Sequence, residues 1–316
     1  MSRSKLLLPL TLPYYFGVFL RNLLYDKGIK KPKKLPVPVI SVGNLSVGGT
    51  GKTSFVIFLA NLLKEKRVCI LLRGYKRKSK GVLLVSEYGK ILTDWEKAGD
   101  EAYLLAKLLP NASVVVSEDR YEGGVFAIKR LDPQLIILDD GFQHRKLHRD
   151  LNILLLKKKD LEDYLLPYGN LREPLSSLKR ADLVVLSYQE VEPFEFNSEK
   201  PTFKMQREFN SVLNSNFEEI PIEHLKEKEV IAFSGLGDNE QFLKTLKKLG
   251  FKVKEFLSFP DHYDYKEFRP KKEETYLTTP KDLVKLQNYE NVFALNFKVK
   301  VDREEELYRI ICRTFC

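Results

Sequence analysis

A short segment rich in glycine, placed between an apolar strand and an apolar helix, constrains the fold of this chain most strongly. The run from Val37 to Val42 predicts a strand, and the run from Ser54 to Leu63 predicts a helix. The segment between them contains Ser46, Val47, Gly48, Gly49, Thr50, Gly51, Lys52 and Thr53. A strand, a flexible loop and a helix in this order are the context that a phosphate-binding loop requires. The chain is therefore predicted to contain an α/β domain.

The loop residues have the chemistry needed to hold a nucleotide. Small residues allow backbone N–H groups to turn toward phosphates, and the helix N-terminus adds its partial positive charge. Lys52 is expected to reach the terminal phosphates, and Thr53 is expected to offer its hydroxyl to Mg²⁺. Ser46 stands where the usual pattern has its first glycine, so the other small residues supply the flexibility. The guanine pattern N-K-x-D is absent, since Thr279 to Asp282 has the wrong spacing, and ATP is the predicted nucleotide.

A second buried strand is predicted to supply the metal-binding group. The run from Gln134 to Leu138 is apolar and leads into Asp139, Asp140 and Gly141. An aspartate at the end of such a strand holds Mg²⁺ opposite the loop threonine in phosphate-transferring proteins. Adjacent side chains point to opposite sides, so one carboxylate is expected to meet the metal and the other a different partner; Asp139 is assigned to the metal. The alternative is an ordinary β-turn that begins at the two aspartates.

Two further polar residues lie next to predicted strand and helix ends. Arg73 follows the apolar strand from Val68 to Leu72, at the end where ligands bind in open α/β sheets. Asp100 precedes the apolar-periodic run from Tyr103 to Leu109. It is either the N-cap of that helix or the base that takes a proton from an acceptor hydroxyl. Considered alone, the residues favour the cap.

The N-terminal segment, residues 1–34, combines an apolar run with a basic flank. Leu6 to Leu20 is almost wholly apolar but only fifteen residues long, and a membrane-spanning helix needs roughly 20. A signal peptide would be followed by a small-x-small cleavage site, and none follows this run. The lysines that follow are Lys27, Lys30, Lys31, Lys33 and Lys34. This pattern predicts an amphipathic helix lying in the membrane interface; the alternative is a buried core helix with a solvated basic turn.

Charge and cysteine content narrow the kind of partner and the compartment. The chain has 53 Lys and Arg against 43 Asp and Glu, and the net charge of +10 indicates an anionic partner. The cysteines, Cys69, Cys312 and Cys316, suit neither a disulfide framework nor a C-x-x-C zinc site, so the protein is expected inside the cell. Basic and aromatic residues are not interleaved on one motif, and nucleic acid is not an expected partner.

The length of 316 residues suggests two domains. We predict a mostly parallel sheet domain of the P-loop NTPase type over residues 35–200, and a smaller α/β domain over residues 201–316. The boundary lies in a polar stretch rich in Pro and Glu after the apolar run from Ala181 to Ser187. The loop at Gly235 to Gly237 lacks the third glycine of a dinucleotide site, so a second nucleotide is not expected. The smaller domain is expected to close over the first as a lid.

Six segments in a fixed order resemble one family, the tetraacyldisaccharide 4'-kinases of lipid A biosynthesis. They are Gly43–Thr53, Arg73–Tyr75, Gly99–Glu101, Asp139–His144, Leu171–Pro174 and Phe259–Tyr263. The resemblance runs from about residue 10 to residue 300. Ser46 is in keeping with the family, in which Ser or Thr is frequent at that position, whereas Ala102 stands where Pro is common.

This resemblance implies an enzyme that transfers phosphate from ATP, with Mg²⁺, to the 4'-hydroxyl of a tetraacylated glucosamine disaccharide 1-phosphate. It implies a peripheral or monotopic protein at the cytoplasmic face of the bacterial inner membrane, with the glycolipid and the membrane surface as partners. Asp100 is then expected to accept the hydroxyl proton with help from His262, and Lys52 is the third catalytic residue. The residues expected to contact the acceptor are Arg73, Tyr75, Glu101, Asp140, Gln143, His144 and Arg172.

Other functions for the same residues are also open. A membrane-associated P-loop ATPase that uses hydrolysis to change shape would turn over ATP without any acceptor and without dependence on Asp100. Arg172 has a fork of donors suited to phosphate or ester oxygens, but it could instead form an ion pair with Glu173. His262 could be a structural histidine within a turn.

Overall fold

The computed structural model describes residues 7–314. The strands in this part of the chain form one sheet. The expectations for Leu6 and Cys316 concern residues outside that range. The strands are β1 Val39–Asn44, β2 Val68–Leu72, β3 Leu83–Glu87, β4 Lys90–Ile91, β5 Ala112–Val116, β6 Leu135–Asp139, β7 Leu151–Leu156, β8 Leu183–Leu186, β9 Thr202–Leu213, β10 Glu219–Pro221, β11 Glu229–Ser234, β12 Lys252–Ser258, β13 Tyr276–Thr278 and β14 Val292–Val301. The helices are α1 Thr11–Asp26, α2 Lys52–Leu62, α3 Trp95–Ala98, α4 Asp100–Leu108, α5 Arg120–Leu131, α6 Glu223–Lys226, α7 Asn239–Lys248, α8 Pro280–Leu283 and α9 Glu304–Cys312.

The central strands of the first half are parallel and covered on both faces. β8, β7, β1, β6, β2 and β5 lie side by side in this order and run parallel, and β3 and β4 continue that edge as antiparallel strands. β2, β5 and β8 are mostly apolar and wholly buried, as is typical of strands with helices on both faces. Helices α2, α4 and α9 pack on one face and α5 on the other. The predicted α/β class with a large, mostly parallel sheet is confirmed.

Strand β9 belongs to both halves of the sheet. Its first residues, Thr202 to Lys204, pair in parallel with β8, and the residues from Met205 to Leu213 pair antiparallel with β14. Beyond β14, the strands β13, β11 and β12 are again parallel to one another. This second group has a core of its own with α6 and α7. The division into domains at residue 201 stays a prediction.

Helix α1 exposes most of its apolar side chains. Val18 is its one buried residue, at 9% exposure. The exposed large apolar residues of α1 and of the turn before it are Leu7, Leu8, Leu10, Leu12, Tyr15, Phe16, Phe19 and Leu20. The alternative of a buried core helix is therefore wrong. Within residues 7–314, the structure contains no helix whose length and apolar content would let it cross a membrane.

Candidate active site

The glycine-rich loop joins β1 to α2 at the carboxyl edge of the sheet. Gly51 is the N-cap residue of α2 and has a φ of +78°, and the helix begins at Lys52. A side chain at position 51 would be strained in this conformation, and its Cβ would lie 2.8 Å from Met205 Cε. The first N–H groups of a helix have no partners within the helix. The loop therefore presents unpaired donors and an ammonium group at the edge where β2 and β6 also end.

Thr53 and Asp139 meet as the sequence predicts. Thr53 Oγ1 donates a hydrogen bond to Asp139 Oδ2 at 2.9 Å. Asp139 Oδ1 is buried and has no hydrogen-bond partner among the described residues. Burial, together with the nearby Glu101 carboxylate, raises the pKa of Asp139 to about 7, although Lys52 opposes the change. Asp139 is the last residue of β6, so the carboxylate is part of the strand and does not begin a turn.

The Thr53 and Asp139 oxygens fit a magnesium ion. Mg²⁺ prefers hard oxygen ligands and usually takes one or two from the protein, while phosphates and waters supply the rest. An orphaned, buried carboxylate oxygen beside a threonine hydroxyl provides such a pair. Over residues 7–314, His, Cys, Asp and Glu form no group of three or more that could hold a metal ion.

Asp140 has different partners from its neighbour. Arg172 donates to both of its carboxylate oxygens, at 2.8 and 2.9 Å, and Lys52 Nζ lies 3.6 Å from Oδ1. Burial would raise the pKa of Asp140, but Arg172 and Lys52 hold it well below its usual range. The alternative pairing of Arg172 with Glu173 is wrong. Glu173 is fully buried and pairs with Arg21 at 2.8 Å and Arg180 at 2.5 Å.

Asp100, in the first half of the chain, contacts His262, in the second half. His262 Nδ1 lies 2.8 Å from Asp100 Oδ2, although the residues are 162 positions apart. The N-cap interpretation of Asp100 is wrong, because Gly99 is the N-cap residue and Asp100 is the first residue of α4. Its other oxygen, Oδ1, accepts a hydrogen bond from the backbone N–H of Glu101 at 2.9 Å. The structure thus brings together two residues that the sequence could not connect by spacing.

Two lysines complete this cluster. Lys281 Nζ lies 3.1 Å from His262 Nε2, and Lys285 Nζ lies 3.2 Å from Asp100 Oδ2. An ammonium group can only donate, so Nε2 accepts from Lys281 and Nδ1 carries the proton that binds Asp100. Burial would raise the pKa of Asp100, but the His262 hydrogen bond and the charges of Lys281 and Lys285 lower it to about 2. Asp100 is therefore a stable carboxylate at neutral pH.

The loop and His262 line the same cleft, which has a volume of about 2240 Å³. The predicted acceptor-contacting residues all line this cleft: Arg73, Tyr75, Glu101, Asp140, Gln143, His144 and Arg172. The Tyr75 ring lies 5.2 Å from the His262 ring, and Gln143 Nε2 donates to Asn44 O at 2.8 Å. Asp100 lies behind His262 and lines a smaller cavity of about 180 Å³.

Two titratable groups of the cleft are tuned by burial. Burial raises the pKa of Glu101, against the charge of Lys281. Burial and the nearby Arg120 guanidinium lower the pKa of His144 to about 4, so this imidazole is neutral under ordinary conditions. A half-buried acid with a raised pKa and a neutral histidine are groups that a polar substrate can contact through hydrogen bonds without a large charge penalty.

Sequence reasoning missed Lys281, Lys285 and Arg120. The lysines lie four residues apart after Pro280, a spacing that places both on one face of a helical turn. Arg120 is the first residue of α5, is 5% exposed and lines the cleft beside the two aspartates. Nothing in the local pattern distinguishes these cations from the many surface lysines and arginines of a basic chain.

The fold and the site define a mixed α/β protein with a glycine-rich loop at the carboxyl edge of a mostly parallel sheet. Comparison with known proteins identifies its family. The family described as tetraacyldisaccharide-1-P 4'-kinase matches residues 3–315, and the chain belongs to this family of kinases. The resemblance carried by the six sequence segments is confirmed.

Its relatives match most or all of the chain. A tetraacyldisaccharide 4'-kinase of Aquifex aeolicus (strain VF5) is 71% identical over 315 residues, which is 100% of both chains. One from Geobacter metallireducens is 40% identical and covers 89% of this chain and 88% of its own. A crystal structure described as an "apo" form of Aquifex aeolicus LpxK in complex with ATP aligns with a TM-score of 0.95. It is 70% identical and covers 100% of each chain.

Proposed function

We propose that this kinase transfers the terminal phosphate of ATP to the 4'-hydroxyl of a tetraacylated glucosamine disaccharide 1-phosphate in lipid A biosynthesis. The identity to named tetraacyldisaccharide 4'-kinases over the full length supports the substrate, and the ATP complex of the solved relative supports the nucleotide. The contact of Asp100 with His262, on the wall of the cleft that the loop also lines, is the observation that carries the proposal. It gives the cleft an acceptor side as well as a phosphate side.

On the phosphate side, residues 46–53 hold ATP. Backbone N–H groups of the loop and the start of α2 bind phosphate oxygens, and Lys52 follows the charge that moves onto the transferred phosphoryl group. Thr53 and Asp139 are the residues that would hold Mg²⁺, which neutralises phosphate charge when bound. Asp140 and Arg172 form an ion pair next to Lys52 and keep its ammonium group directed into the cleft.

On the acceptor side, the Asp100–His262 pair accepts the proton of the 4'-hydroxyl. The ionised Asp100 accepts a hydrogen bond from Nδ1–H of His262, which fixes the ring so that Nε2 faces the cleft. Nε2 takes the hydroxyl proton once the acceptor displaces Lys281 from it. Phosphoryl transfer is mostly electrostatic, and a positioned base adds roughly 10²- to 10⁴-fold to the rate. The disaccharide lies between the two sides, where Arg73, Tyr75, Glu101, Gln143 and His144 line the wall.

The exposed apolar face of α1 lies in the membrane interface, at the cytoplasmic face of the inner membrane. Its polar side is tied to the active-site wall, because the Tyr14 hydroxyl donates to Arg172 O at 3.0 Å and Arg21 pairs with Glu173. The exposed fractions of Leu12 and Phe16 are 72% and 63%. Burying such side chains in lipid and placing lysines near anionic headgroups both favour binding. A lipid acceptor could thus reach the cleft without leaving the bilayer surface.

The function is tested with labelled ATP, Mg²⁺ and the tetraacyldisaccharide 1-phosphate in detergent. Asp100→Asn and His262→Ala should each lower kcat by at least about 10²-fold with little change in the affinity for ATP. The double variant should be hardly worse than the less active single variant, because residues that act as a unit are lost together. ATP turnover that needs no acceptor and survives in Asp100→Asn would favour the membrane-associated ATPase instead.

The membrane proposal is tested by sedimentation with anionic vesicles. The double substitution Leu12→Ser and Phe16→Ser should weaken binding about tenfold or more, since it removes exposed apolar area that would enter the lipid. Leu92→Ser, at an exposed leucine away from α1, is the matched control. Unchanged sedimentation of the α1 variant would contradict the interfacial location. It would not bear on the proposed kinase activity.

A further inference from the structure

A buried lysine lies beneath the Asp100–His262 pair. Lys285 follows α8, and only 1% of its side chain is exposed. Its Nζ lies 3.2 Å from Asp100 Oδ2 and donates to the backbone oxygen of Tyr263 at 2.7 Å. The rings of Trp95 and Tyr265 each have their centroid 5.8 Å from Nζ. This buried ammonium group contacts the Asp100 carboxylate, the Tyr263 carbonyl and two aromatic rings, and the charge of Asp282 also acts on it.

Lys285 contacts the reaction only through Asp100. It lines the small cavity behind His262 and does not line the large cleft, where ATP and the acceptor are proposed to bind. Lys281, four residues earlier, reaches His262 from the cleft side. The two lysines therefore hold opposite ends of one chain of hydrogen bonds, Lys285 to Asp100 to His262 to Lys281.

The geometry points to Lys285 as a positioning residue: we propose that its buried ammonium group keeps Asp100 ionised and in the orientation that holds Nδ1–H of His262. The proposal rests on the role of the Asp100–His262 pair given above. Removing a cation from a buried carboxylate favours the protonated acid, which would then compete with Nδ1–H as a donor. The imidazole would lose its fixed orientation, and Nε2 would no longer be held toward the cleft.

Other charged groups surround the Asp100–His262 pair and also influence the ionisation of Asp100. Those that face Asp100 or His262 directly are Lys281, Lys285 and Asp261, and Glu101 follows Asp100 on α4. The small cavity is further lined by Lys76, Lys78, Glu96, Asp264 and Lys266, several of which pair with one another at its surface. Of these cations, Lys285 is the one with a fully buried side chain in contact with the Asp100 carboxylate.

The test compares Lys285→Met, which keeps the length of the side chain and removes its charge, with Lys285→Arg, which keeps the charge. Lys285→Met should lower kcat roughly 10- to 100-fold with the KM for ATP unchanged. The acid limb of its kcat profile should move to higher pH, because Asp100 becomes harder to ionise. Lys285→Arg should recover part of kcat and of the profile. Lys254→Met, at a lysine that pairs with Glu274 on the surface, is the control and should change neither.

A second comparison separates positioning from packing. Asp100→Asn combined with Lys285→Met should be no slower than Asp100→Asn alone, since the lysine acts through the carboxylate. Lys285→Met alone leaves the Asp100 carboxylate without its buried cation, whereas the double variant removes both buried charges. The double variant should therefore stay folded even if Lys285→Met does not. The inference is overturned if Lys285→Met keeps its kcat and its acid limb, or if the losses multiply in the double variant. Wild-type activity in Asp100→Asn would instead overturn the proposed role of the pair.

Discussion

Both ends of the cleft contain residues in the left-handed backbone region, and two of these residues, Gly51 and His262, differ in kind. At the loop end, Gly51 has a φ of +78°, and glycine adopts this conformation without strain. At the acceptor end, His262 has a φ of +63°, where a side chain costs about 1–2 kcal/mol. The glycine-rich loop itself is one continuous segment, and Asp139 joins it from 86 positions beyond Thr53, whereas the acceptor end joins residues 162 positions apart. The glycine adopts its conformation without support from distant segments, whereas tertiary contacts hold the strained histidine in place.

Removal of the loop cation should have the largest effect. Lys52→Ala is expected to lower kcat at least about 10²-fold, because it removes the charge that follows the phosphoryl group into the transition state. Phosphate transfer from labelled ATP measures it. Lys64→Ala, an exposed lysine on the rim of the same cleft, should keep its activity. Near wild-type turnover in Lys52→Ala would show that the loop end is not the phosphate site.

The adjacent aspartates should differ in their response to magnesium. Asp139→Asn is expected to lose activity and Mg²⁺ dependence together, with a loss of about 10²-fold, since Asp139 offers the unpaired oxygen beside Thr53. Asp140→Asn frees Arg172 and Lys52 and should have a smaller effect, with the Mg²⁺ dependence kept. Rates measured against Mg²⁺ concentration distinguish them. If only the Asp140 variant loses its Mg²⁺ dependence, the metal assignment is one residue off.

The loop end could be predicted from the sequence because its signals are local. The runs around β1, β2, β6 and β8 are apolar and short, and the predicted boundaries agree with the structure within two residues. These features depend on hydrophobic period and on residues with special backbone freedom, which can be found in any single window of sequence.

The acceptor end depends on how distant segments pack, and the sequence does not contain that information in local form. In the sequence, Asp100 precedes the apolar run at a distance typical of an N-cap residue. In the structure, α4 begins at Asp100, so Gly99 is the N-cap residue. Lys285 is one of many lysines until the structure buries it beside Asp100. Strand β9 pairs with β8 and then with β14, and this exchange of partners aligns the second half with the first. Resemblance to a family, not periodicity, connected Asp100 with His262.

The two ends should also differ in their response to acid. His144, near the loop end, has its pKa lowered from 6.5 to about 4, so the folded state favours the neutral ring. Its contribution to stability is complete above pH 6.5 and is lost as the pH falls toward 4. Between pH 6.5 and pH 4, the free energy of unfolding of His144→Gln should therefore fall by about 1–2 kcal/mol less than that of the wild type. This figure allows for solvent screening of the imidazole. Denaturant unfolding at several pH values measures it. Asp100→Asn should follow the wild-type slope over most of this window, because the pKa of Asp100 is lowered to about 2 and its contribution to stability is lost only as the pH falls below the unfolded value of about 4.

The smallest predicted effect concerns the backbone of His262. His262→Ala and His262→Gly both lose the ring that binds Asp100 and contacts Tyr75, so the difference between them reports on the φ of +63° alone. Glycine removes a strain of about 1–2 kcal/mol but adds about 0.5–1 kcal/mol of chain entropy in the unfolded state. His262→Gly should therefore be more stable than His262→Ala by roughly 0.5–1 kcal/mol, while both lose kcat equally. Denaturant unfolding measures this difference in stability as a shift of the midpoint, provided that the two variants unfold with equal slopes. If the alanine variant is instead the more stable one by about 0.5–1 kcal/mol, only the entropy of the unfolded chain separates the two variants, and the backbone at His262 is unstrained in solution.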